Sequence, residues 1–82
     1  MPITYHSEET GVAAIGSMTA AIKAQRVLAS NGIAVEIISL SPTQTRRGCA
    51  YGIEFPLSLE ANVRNVLRAA RISVSQYFRK GG

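Results

Sequence analysis

Apolar positions in this chain recur in two rhythms, and the alternation between them lays out the elements. Residues 12–16 form a short apolar run bounded by Gly11 and Ser17, the pattern of a buried strand. Ser17 or Thr19 can cap the helix that follows, since a hydroxyl oxygen accepts from its free N–H groups. That helix is predicted to run to about Ser30, with Ala21, Ala24, Val27 and Leu28 as its core stripe. Asn31-Gly32 stops it, because either residue tolerates the left-handed conformation. Residues 33–40 are rich in β-branched side chains and read as a second strand. Ile33, Val35 and Ile37 share one face and Glu36 takes the other. Ser41-Pro42 ends it, proline having no N–H for a ladder. A third strand over residues 50–55 sets Tyr51, Ile53 and Phe55 on one face and Gly52 and Glu54 on the other. Pro56-Leu57-Ser58 opens a second helix with Ser58 as N-cap. Leu59, Val63, Val66, Leu67 and Ala70 recur at i, i+4, i+7, i+8 and i+11, an amphipathic stripe. Glu60 and Arg64 can pair across one turn. Residues 72–78 read as a fourth strand.

The order β-α-β-β-α-β closes most simply as the ferredoxin-like split βαβ fold, an α+β arrangement with a four-stranded antiparallel-type sheet and both helices on one face. The expected division is a polar lead-in over residues 1–10, one domain over 11–79, and a frayed tail over 80–82. The sheet face away from the helices is expected to be small and polar, built from Glu36, Gly52, Glu54, Ser73 and Ser75. The topology also has a chemical consequence. The loop between strands two and three, the start of helix one and the end of helix two, with Arg68 and Arg71, should meet at one edge of the sheet.

Composition narrows the choices. Eighty-two residues make one small domain, and 46% apolar content excludes a disordered chain. A domain of this size hides only about 60% of its unfolded surface, so its core is marginal. One cysteine makes no internal disulfide, which suits a reducing cytoplasm. The first ten residues lack the apolar run of a signal peptide, and no stretch is long enough to span a membrane. The net charge of +4, with seven arginines among nine basic residues, admits an acidic partner, an anionic ligand or nucleic acid as well as simple solubility.

Candidate chemistry concentrates at Cys49. It follows Arg46, Arg47 and Gly48 in a polar loop between two apolar stretches. Neighbouring positive charge favours the thiolate, the reactive form. The start of helix one adds a positive dipole end and unpaired N–H groups, and Ser17 and Thr19 add hydroxyl donors. A thiolate, a persulfide or another small anion would suit this set. The plainer reading is a small hydrophobe at a strand start, beside solvated arginines. His6 lies far off in the lead-in, so a Cys-His nucleophile has little support. One Cys and one His make no intramolecular metal site, and no glycine-rich phosphate loop points to a nucleotide cofactor. Glu36 and Glu54 fall on neighbouring strands and read as solvated carboxylates. Arg64, Arg68 and Arg71 form a basic stripe along helix two, either a solvent face or a docking surface. RNA-recognition modules share this strand order but stack bases on aromatics of the open face. Here strand one has no aromatic, and Tyr51 and Phe55 align with Ile53 toward the core. That argues against nucleic acid.

The pieces Gly16-Ser17-Met18-Thr19-Ala20-Ala21, Gly32-Ile33-Ala34-Val35, Ser41-Pro42 and Gly48-Cys49-Ala50 together resemble the selenium/sulfur carrier-like family of short proteins. In that family a strand leads through Ser-Thr into a helix, and a cysteine followed by glycine opens strand three. Here Ala50 stands in place of that glycine. The resemblance covers most of the chain after residue 11. It implies a carrier rather than a turnover enzyme, with Cys49 accepting sulfur or selenium from a donor such as a cysteine desulfurase and passing it to an acceptor enzyme. Arg46 and Arg47 would then stabilise the thiolate, and Ser17 and Thr19 the bound chalcogen. Helix two would dock the partner. A non-catalytic binding or regulatory module with a structural Cys49 is the competing account. Neither reading sets the oligomeric state.

Overall fold

The computed structural model describes residues 9–41 and 51–80. Strand β1 spans Thr10–Ala14, helix α1 Met18–Ser30, β2 Glu36–Ser39, β3 Tyr51–Pro56, α2 Glu60–Ala69 and β4 Gln76–Lys80. The sheet order is β2-β3-β1-β4, and each neighbouring pair is antiparallel. Both helices pack on one face. This is the ferredoxin-like βαββαβ topology that the order of elements predicts.

Alternation along the strands sorts side chains between two clusters. Ala13, Ile53 and Phe55 point toward the helices, where Ala21, Ala24 and Leu28 of α1 and Val63 and Leu67 of α2 close the core. Ile33 and Val35 reach the same core ahead of β2. The opposite face is not the small polar surface expected of it. Val12, Ala14 and Leu40 form a second buried cluster there, with Ile38 and Phe78 against it. Val12, Ile38 and Leu40 share this face with Glu36 and Glu54 by the same period-two alternation that set those carboxylates there, so the apolar character follows from the strands as predicted. Phe78 joins it because the chain changes phase ahead of β4, and Ser73 precedes the strand.

Three boundaries differ from the periodic reading, each for a physical reason. Strand β2 is short because extending its register would set Ala34 against Pro56, which has no N–H, and beyond Pro56 the chain turns into a 3-10 segment, Leu57–Leu59. That segment also displaces the second helix's start. The residue before α2 is Leu59, which makes no side-chain cap, so Ser58 is not its N-cap. At β4, Ile72 and Val74 pack into the helix-side core before the strand begins, and the chain bends at Ser75. Beyond the bend Tyr77 faces the helices and Phe78 the other side. The period-two pattern therefore changes phase at residues 75–76, and only the second half pairs with β1. Lys80, expected to fray, ends the strand.

Candidate functional site

Three main-chain contacts draw the expected sheet edge together. The N–H groups of Ile15 and Gly16 both donate to the Tyr51 carbonyl at 2.9 Å, which ties the end of β1 to the start of β3. Gly16, with φ 113°, then turns the chain off the sheet into α1. On the other flank of β1, the Ser75 N–H and hydroxyl both donate to the Ala14 carbonyl, at 2.9 and 3.2 Å, fixing the entry to β4. The start of α1 thus lies against Tyr51, two residues after Cys49 in the sequence.

Cys49, Arg46 and Arg47 lie outside the described residues, as do His6 and Pro42. Of the predicted anion-holding set, Ser17 and Thr19 are described. Ser17 rather than Thr19 caps α1. Its backbone is extended, and its Oγ accepts from the Ala20 N–H at 3.1 Å. That bond uses an oxygen lone pair and leaves the hydroxyl proton available to donate. Thr19, two residues further on, is exposed and faces a groove on the outer side of the helix.

The basic residues of the second helix are differently employed. Arg64 pairs with Glu60, Nη2 to Oε2 at 2.7 Å and Nε to Oε2 at 2.9 Å, as the spacing predicts. The same guanidinium lies 4.0 Å from the centre of the Tyr77 ring. This stacking was not foreseen, because the shift in phase of β4 decides that Tyr77 faces α2. Burial raises the Tyr77 phenol above its ordinary pKa, against the lowering pull of Arg64. Arg68 reaches Asn65 Oδ1 at 3.5 Å. Arg71 falls beyond the helix, in the left-handed region at φ 61°.

Glu36 and Glu54 stand directly opposite each other in the β2–β3 register, as neighbouring strands allow. Glu54 accepts from the Thr10 hydroxyl at 3.2 Å and meets Lys80 at 3.3 Å, so it is a paired surface carboxylate. Among the described residues no three His, Cys, Asp or Glu side chains gather to hold a metal. No helix among them is long and apolar enough to cross a membrane. Tyr51 and Phe55 pack on the helix side, and Phe55 is buried, so neither ring is presented for base stacking.

A reading directed at the arginines passes over the outer face of α1. Met18 and Ile22 are exposed there, one turn apart, beside Lys23 and Arg26. The signal was present in the sequence. At 100° per residue, Ile22 falls on the side opposite the Ala21–Ala24–Leu28 stripe and Met18 at its margin.

Comparison with curated proteins and with solved structures returned no significant match. A family model described as "Putative Se/S carrier protein-like" matches residues 10–79, from the first residue of β1 to the penultimate residue of β4. That span takes in all four strands and both helices, together with the loop that carries Cys49. By this match the chain belongs to the Se/S carrier protein-like family.

Proposed function

We propose that this protein is a chalcogen carrier that takes sulfur or selenium onto Cys49 and hands it to a partner enzyme. Membership of the family supports the carrier role in general terms. The observation that carries the finer reading is the convergence at the sheet edge. The Gly16 N–H meets the Tyr51 carbonyl at 2.9 Å, and Cys49 precedes Tyr51 by two residues. Two residues of chain span about 7 Å at most, and that short link to Tyr51 is what supports a cysteine working beside the start of α1.

Loading requires no oxidant. The Cys49 thiolate attacks the terminal sulfur of a donor's cysteine persulfide. The new bond joins Cys49 Sγ to that sulfur, the donor's S–S bond breaks, and the donor leaves as its own thiolate. The proton on the terminal sulfur travels with it or is lost to water. A selenium atom carried as a selenosulfide follows the same course. Delivery repeats the exchange on an acceptor. Arg46 and Arg47 favour the attacking thiolate. Ser17, whose proton remains available, donates to the terminal chalcogen, and the helix dipole adds positive potential. Such a relay needs no general base, which accords with a sequence whose single histidine is His6.

Incubation of the reduced protein with a cysteine desulfurase and cysteine, followed by intact mass analysis, tests this. A sulfur adduct mapping to Cys49 is expected. Cys49→Ser should lose the adduct while keeping the wild-type unfolding transition. Equal loading of the serine variant would overturn the assignment.

A further inference from the structure

We infer that the outer face of α1 is a docking surface for an acidic, amphipathic segment of a partner protein. Among the described residues, helix α1 packs against the core through Ala21, Ala24 and Leu28, with Val27 at the margin. On the other side Thr19, Ile22, Lys23, Arg26, Val27 and Ser30 line a groove of about 450 Å³. Met18 and Ile22, 42% and 39% exposed, are the large hydrophobic side chains that the described residues leave in water. Scattered single apolar residues are ordinary on a surface. Ile22 lines the groove and Met18 stands one helical turn before it, so the two form a continuous apolar strip.

Charge identifies the occupant. Helix α1 contains no Asp or Glu, and neither Lys23 nor Arg26 has an ion-pair partner among the described residues. On α2, by contrast, Arg64 is engaged with Glu60 and Tyr77. Lys23 and Arg26 both lie on the groove side of the apolar strip and complement a segment that presents an apolar side chain beside carboxylates. The strip begins at Met18, in the first turn of the helix that abuts Tyr51, so a partner seated here lies beside the sheet edge. The surface does not depend on the chemistry at Cys49, and failure of the carrier reading would leave it standing.

The test is a titration of the isotope-labelled protein with a synthetic helical peptide, leucines at i and i+4 and glutamates on either side, followed by amide chemical shifts. Saturable shifts confined to α1 are expected, with affinity falling as salt rises. Lys23→Glu with Arg26→Glu should weaken binding about tenfold or more. Ile22→Ser should weaken it as well, and Arg68→Glu should leave it unchanged, with folding of each variant verified by its amide spectrum. Absence of saturable binding, shifts centred on α2, or equal loss in Arg68→Glu would overturn the proposal. So would binding to vesicles of anionic phospholipid through the same residues in place of the peptide, which would make this a membrane-surface helix.

Discussion

Arg71 shows how much a single residue can be asked to bear. Both helices end in the same Schellman arrangement. In α1 the Gly32 N–H donates to Ala29 and Ile33 to Leu28; in α2 Arg71 donates to Arg68 and Ile72 to Leu67. Each arrangement needs a left-handed residue just past the cap. Gly32 supplies it at φ 79° without steric cost, whereas Arg71 holds φ 61° with its Cβ against the following carbonyl. Arg71→Gly is therefore expected to raise stability by about 0.5–1 kcal/mol in urea denaturation, the relief of strain exceeding glycine's greater unfolded entropy. A fall in stability would mean that the guanidinium makes a stabilising contact. Tyr77 gives a second residue-scale prediction. Its folded pKa is raised, so stability is intact below pH 10. Above that the unfolded chain gives up its phenolic proton first, and stability declines as pH climbs through the raised value. Tyr77→Phe keeps a ring under Arg64 and should flatten that alkaline decline, read as unfolding midpoint against pH.

At the scale of elements, α1 is the part on which fold and proposed chemistry both depend. Its N-terminus is held by one side-chain bond, from the Ala20 N–H to Ser17 Oγ. Ser17→Ala should cost about 1 kcal/mol of stability, the usual worth of such a cap. If Ser17 also holds the terminal chalcogen, Ser17→Thr, which restores the cap, should restore persulfide lifetime as well, whereas Ser17→Ala should shorten it. Lifetime measured by thiol trapping separates the two roles, because a purely structural serine would move stability alone. Helix α2 begins without a side-chain cap. It relies on Glu60 in its first turn, Arg68 in its last, and the burial of Val63 and Leu67.

Across the whole molecule, the core is small enough that one ring matters. Phe55 is 1% exposed and lies over Gly11, where an added Cβ would come within 2.6 Å of the ring. Phe55→Ala should cost about 3–5 kcal/mol. A chain of this length holds about 4–12 kcal/mol in all. The variant should thus lose a large share of that stability and unfold at a clearly lower urea concentration and temperature, as monitored by far-UV circular dichroism. Its loss would spread from β3 to both helices, since α1 and α2 meet over that strand.

What the sequence determined alone was the order, type and inner faces of the elements. Apolar spacing of 3.6 or 2 is a local property, and it found the stripe of each helix, the inward set Ile33, Val35 and Ile37, and the Glu60–Arg64 pair. Antiparallel closure of β-α-β-β-α-β follows from the order of elements and the right-handed crossovers. The candidate site was legible only as residue types: Cys49 is the single cysteine and Arg46 and Arg47 come shortly before it, and all three lie outside the described residues. Tertiary structure decided what no local pattern encodes. Whether residues 72–75 belong to β4 depends on where β1 offers partners, and the answer turned Tyr77 toward α2 and Phe78 to the opposite face. Pro56 ended the β2 pairing from the neighbouring strand. The pairing of Arg64 with both Glu60 and Tyr77 took the first cation of the α2 stripe out of the free set, while among the described residues Lys23 and Arg26 of α1 have no ion pair. Each of these depends on a group distant in sequence, and distance in the chain is what a local pattern cannot span.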